Sequence, residues 1–208
     1  MIKAEKDDKD LQKIFFKALW RKALALSWNG NLEKSETVLQ ELKTKSDLPE
    51  EYKMFLDESI GAVDERKKSI KLKKFGDIEF KKAEYIKAIE KYKQALEIDP
   101  DNEIILGNIS LCLFKMDQDE ESLQFLERAL RKIKGFVQYS NFSESYRQSS
   151  YESRYLIIKL LLRKAQILKK SKEFDKCKDL IKEAIQLDDK NQEAQQLLKD
   201  IEVTKKKY

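Results

Sequence analysis

From Lys71 to Pro100 the apolar residues recur at helical spacing in two runs: Leu72, Phe75, Ile78 or Glu79 and Phe80, then Ile86, Ile89, Tyr92 or Lys93 and Leu96. Two helices joined by a short turn are the simplest way to put both stripes on one side. Small residues stand where such helices must approach closely, at Gly76 in the first and at Ala88 and Ala95 in the second, with Tyr85 and Tyr92 between them. Pro100 has no backbone N–H and disfavours helix in the residue before it, which predicts an end to the second helix at Ile98 or Asp99.

The order of small and large positions at Leu72, Gly76, Tyr85, Ala88, Tyr92, Ala95 and Pro100 resembles a tetratricopeptide repeat. One family period of about 34 residues further on, Leu106, Ile109, Ser110, Leu113, Ser122, Leu126 and Ala129 take the corresponding places. A further unit begins near Ile158, with Leu161, Ala165, Leu168, Phe174, Cys177, Ile181 and Ala184 in register. Upstream, Leu19, Ala23, Leu26, Gly30, Leu32, Ser35, Leu39 and Leu42 form a looser unit, in which Ser35 and Leu42 replace the preferred alanines. The resemblance implies an all-α fold, a right-handed α-solenoid of stacked antiparallel helix pairs.

The expected organisation starts with a frayed or disordered segment 1–9, where charges alternate without periodicity, and a helix from about Asp10. A repeat-like unit with a capping helix covers 10–68; the cap reads from Leu48-Pro49 through Tyr52, Phe55, Leu56, Ile60 and Val63. A three-repeat array follows over 69–204 (69–102, 103–135 and 158–190), closed by a capping helix at 191–204 through Ala194, Leu197, Leu198 and Ile201. The junction near 64–68 reads either as a hinge or as part of one helix running from about Glu50 into Phe80. The insertion 136–157, rich in Ser and Tyr, reads either as a longer connection with extended helix ends or as a regulated loop, with Ser149, Ser150 and Tyr151 as phosphate acceptors.

Composition narrows the function. The chain is 39% charged with only 5 Gly and 2 Pro, which suits helices. The net charge of +5 is a small excess of 43 basic over 38 acidic residues, interleaved as on a solvated surface, and no nucleic-acid fingerprint accompanies it; no nucleic-acid partner is expected. No apolar run approaches the roughly 20 residues of a membrane span, so a soluble, cytoplasmic chain is expected. Cys112 and Cys177 fall at buried-looking helix positions rather than as a pair. The chain has no histidine, which removes the commonest general base and zinc ligand, and it has no phosphate-binding glycine loop or nucleophile elbow. Neither catalysis nor a cofactor is expected. Trp20 and Trp28 read as packing residues.

One subset of the tetratricopeptide-repeat family holds the C-terminal carboxylates of heat shock proteins 70 and 90 in its concave face, through Lys and Asn on the first helix of one repeat, Asn on the next, and Lys and Arg on the third. Carried over to this sequence, the resemblance implies a carboxylate site of Lys73, Asn108, Lys159 and Arg163. Ammonium and guanidinium groups would neutralise the ligand's carboxylates while the amide orients them. Asp77 stands where that pattern has Asn. Two unit charges about 4 Å apart at an effective dielectric near 20 interact by roughly 4 kcal/mol, so Asp77 weakens the clamp, pairs with Lys73, or marks a different ligand. Lys17 and Arg21 repeat the spacing of Lys159 and Arg163 in the first unit. The array is similar to those of co-chaperones such as the sperm-associated antigen and dynein axonemal assembly factor types. The implied function is a non-catalytic adaptor for a peptide or acidic C-terminal tail; the alternative is a structural subunit of a ciliary or cytoskeletal assembly.

Overall fold

The computed structural model describes residues 2–28, 30–45, 50–140 and 147–205, with side chains over 11–27, 30–45, 50, 52–133 and 153–205. Among the described residues there are nine helices and no strand: α1 (Ile2–Trp28), α2 (Leu32–Lys43), α3 (Glu50–Lys81), α4 (Tyr85–Ile98), α5 (Glu103–Lys115), α6 (Asp119–Ser140), α7 (Arg147–Lys170), α8 (Phe174–Leu187) and α9 (Gln192–Lys205). They form two compact units, Met1–Lys71 and Leu72–Tyr208, and the boundary falls inside α3.

The same local device builds each helix pair. At the tip of the first helix one residue adopts a left-handed backbone: Gly30 (φ 78°), Ala83 (φ 61°), Asp117 (φ 57°) and Lys172 (φ 61°). These lie at a constant distance beyond Ala23, Gly76, Ser110 and Ala165, the small residues at which each first helix meets its second. The facing positions are Ser35, Ala88, Ser122 and Cys177, all fully buried. In three pairs the second helix donates a hydrogen bond across that contact. Ser35 Oγ donates to the Ala23 carbonyl (2.7 Å), Ser122 Oγ to that of Ser110 (2.8 Å), and Cys177 Sγ to that of Ala165 (3.3 Å). A small polar side chain thus satisfies itself on the neighbouring backbone, so Ser35 serves the close approach that alanine serves elsewhere.

In the first unit Phe16, Ala23, Leu32, Leu39, Leu42, Leu56 and Val63 make the core, and Phe16 stacks on Tyr52 with centroids 4.3 Å apart. Trp20 packs beside Phe55, itself half exposed, and donates to Ser59 Oγ (2.9 Å). The Trp28 side chain lies outside the described residues. In the second unit one cluster joins α4 and α5 through Ala88, Tyr92, Ile105, Ile109 and Cys112, and a larger one runs from Leu106 through Leu126, Leu161 and Ile181 to Ile201 on α9. Burial of Ala194, Leu197 and Ile201 sets α9 against α8.

Three features differ from the sequence reading or resolve it. The first helix starts at Ile2 rather than near Asp10; Glu5 and Lys9 stand at an i,i+4 spacing that supports helix without an apolar stripe. Phe75, Ile78 and Ile86 are exposed (45%, 46% and 71%). They lie on the first helix pair of the second unit, where no earlier pair of that unit covers them, whereas Ile109 and Cys112 of the next pair are buried. The segment 136–157 is entered by helix from both sides, because α6 runs to Ser140 and α7 starts at Arg147. Ser149, Ser150 and Tyr151 have helical backbone, and their side chains lie outside the described residues, as do 141–146 entirely.

Candidate functional site

The first helices of the second unit carry the candidate residues: Lys73 and Asp77 on α3, Asn108 on α5, Lys159 and Arg163 on α7. Helical spacing puts Lys73 and Asp77 one turn apart on one face, and Lys159 and Arg163 likewise.

Asp77 is the hub of this arrangement. Its Oδ2 accepts from Lys73 Nζ at 2.8 Å, and its Oδ1 accepts from the Tyr92 hydroxyl at 2.8 Å and from Asn108 Nδ2 at 3.3 Å. Of the three readings left open for Asp77, pairing with Lys73 is present in the structure. Tyr92 comes up from α4, with its ring against the α-carbon of Gly76. A β-carbon at position 76 would lie 2.5–2.9 Å from three ring carbons, so the glycine is what admits the ring. Burial, followed by the hydrogen bond to Asp77 and its charge, holds the Tyr92 phenol well above the usual tyrosine range, and it stays a donor.

Arg163 reaches the backbone beside Asn108: its Nη1 donates to the Gly107 carbonyl at 2.6 Å. Gly107 makes room for this, since a β-carbon there would meet Leu160 Cδ2 at 3.0 Å. Burial pulls the guanidinium down to about 10, opposed at neutral pH by the Glu193 carboxylate, and it remains protonated there. Lys159 is exposed, with Nζ 4.2 Å from the centroid of the Tyr155 ring. Lys73, Asp77 and Asn108 are thereby bonded across α3 and α5, Arg163 on α7 bonds the residue before Asn108 in the chain, and Lys159 stands a turn from Arg163.

The charges are unequal along this set. Lys73 and Asp77 cancel at the α3 end, while Lys159 and Arg163, set against Glu193, leave the α7 end with a smaller positive excess. Burial raises the Cys112 thiol to about 11 and that of Cys177 in the same direction, so neither behaves as a nucleophile near pH 7. Among the described residues no group of three or more His, Cys, Asp or Glu could hold a metal ion. Lys17 and Arg21 are exposed on α1 of the first unit. No described helix is long and apolar enough to cross a membrane.

Two members of the set escape sequence reasoning. The Tyr92 hydroxyl gave no signal beyond the presence of a tyrosine at a core position. Gly107 did carry one: a glycine in a helix interior costs about 1 kcal/mol against alanine and usually marks a close approach.

The sequence matches the family described as "TPR repeat" over residues 76–117 and that described as "Tetratricopeptide repeat" over 158–191. Among solved structures it is similar to the first TPR of Spaghetti (RPAP3) bound to the HSP90 peptide SRMEEVD, at 20% identity and a TM-score of 0.52 over 66% of this chain and 93% of that one. It is also similar to the N-terminal domain of stress-induced protein-1 from C. elegans, at 20% identity and 0.52, over 66% of this chain and 97% of that one. A longer stretch, 95% of this chain and 48% of the other, matches the P58(IPK) TPR domain at 15% identity and 0.63. At these identities the likeness is one of fold.

Proposed function

We propose that this chain, which matches tetratricopeptide repeats over 76–117 and 158–191, is a non-catalytic adaptor which binds a peptide along the first helices of its second unit. The observation that carries this reading is that Lys73 and Asn108 both bond Asp77 while Arg163 bonds the carbonyl of Gly107, the residue before Asn108, with Lys159 one turn from Arg163. A solenoid offers its first helices as an extended concave surface. The excess positive charge at the α7 end favours an acidic ligand, and guanidinium and ammonium groups form charge-assisted hydrogen bonds to carboxylates. A similar fold holds an acidic HSP90 peptide, which supports a chaperone tail as the ligand class and a co-chaperone role.

Calorimetry with the peptide SRMEEVD tests this. The expected result is saturable binding below millimolar concentration that weakens with added salt. Lys159→Glu, an exposed change, should weaken it about tenfold, or about 1.4 kcal/mol, and Lys22→Glu on the first unit should leave it unchanged. Equal binding by wild type and Lys159→Glu would defeat the reading.

A further inference from the structure

We infer that Asp77 is a resident carboxylate which balances Lys73 and engages Asn108, so that the α3–α5 end of the groove offers no net positive charge to a ligand carboxylate and takes a neutral, hydrogen-bonding part of the ligand instead. The inference rests on the groove reading above and specifies which ligand chemistry that groove takes.

Both oxygens of Asp77 are engaged, by Lys73 on one side and by Tyr92 and Asn108 on the other. The carboxylate is also anchored from below. Tyr92 is 2% exposed and its ring is wedged against Gly76, so the phenol cannot follow a carboxylate that swings away. A carboxylate only accepts, hence the amide nitrogen of Asn108 must face it and the amide oxygen must face elsewhere. What remains for a ligand at this end is the acceptor oxygen of Asn108, the N–H groups of Lys73 and Asn108 that Asp77 does not take, and no net positive charge, because Asp77 balances Lys73.

The α7 end is the opposite. There Lys159 is exposed, and Arg163 spends one nitrogen on Gly107 and keeps other N–H groups. The ligand that fits is therefore dipolar: acidic side chains toward α7, amide N–H groups toward α3 and α5. A peptide held by an interior segment supplies both, whereas a free terminal carboxylate directed at α5 finds Lys73 already balanced by Asp77 and gains nothing from its charge.

The test uses the full chain and two probes, the acidic heptapeptide above as a free acid and the same peptide with an amidated C-terminus. Wild type should bind the amide at least as tightly as the acid. Asp77→Asn releases Lys73 and Asn108, and should reverse the preference to about tenfold in favour of the acid; Asn108→Ala should then remove most of that preference in the Asp77→Asn background, and in wild type should weaken acid and amide alike without changing their ratio. Helix content and melting midpoint verify that Asp77→Asn is folded; if it is not, the wild-type preference alone decides. Binding of both peptides with a preference for the acid in wild type, or one unmoved by Asp77→Asn, overturns this inference and leaves the groove reading standing. Failure of both variants to bind either peptide overturns the groove reading, and the inference with it.

Discussion

Tyr92→Ala is expected to cost the second unit about 3–5 kcal/mol, the range for removing a fully buried aromatic side chain. The ring lies in the cluster that joins α3, α4 and α5, against Gly76, which has no side chain to fill the space it would leave. The hydroxyl adds a second loss, since Asp77 would give up one of its three hydrogen bonds. Tyr92→Phe separates the two contributions: it keeps the ring and should cost about 1 kcal/mol, the net value of one intramolecular hydrogen bond. Urea unfolding followed by circular dichroism would measure both. A loss below 1 kcal/mol for Tyr92→Ala would mean that the α3–α4 contact is not held by this ring.

Leu161→Ala should cost about 2–5 kcal/mol, the range for emptying a fully buried leucine site. Leu161 is 0% exposed, in the cluster that gathers Leu126 and Ile133 of α6 with Ile181 of α8. Its helix, α7, also carries Lys159 and Arg163, so the consequence extends to the groove. A peptide that binds through α7 should bind Leu161→Ala more weakly as temperature rises toward the lowered melting point, while the exposed Lys159→Glu weakens binding with no change in melting midpoint. The contrast separates loss of the framework from loss of a contact. An unchanged denaturant midpoint for Leu161→Ala would contradict the packing described here.

Much of the framework was legible in the sequence because its signals are local. Helix periodicity, the small residues at Gly76, Ala88 and Ala95, and the proline after α4 each act within a few residues. The tips were less so: Ala83, Asp117 and Lys172 take left-handed backbone without being glycine, and only the repeat register points to them. Ser35 looked like an imperfect alanine, since the carbonyl it bonds is on another helix. The candidate site shows the same limit more sharply. Its residues could be named from register, yet their bonds join Asp77 to Tyr92, Asn108 to Asp77 and Arg163 to Gly107, contacts between helices that no local pattern encodes. The sequence also offered Phe75 and Ile78 as an inward stripe, and periodicity could not say that the first pair of the second unit has none of its own pairs before it.

The account's central claim is that ligand is held along the first helices of the second unit. Amide chemical-shift mapping of the isotope-labelled full chain, titrated with the acidic heptapeptide, tests it most directly. The largest shifts should fall on α3 around Lys73 and Asp77, on α5 around Asn108 and on α7 from Lys159 to Arg163, with α4, α6 and α8 nearly silent. Shifts concentrated on the second helices, or confined to the first unit around Lys17 and Arg21, would contradict it.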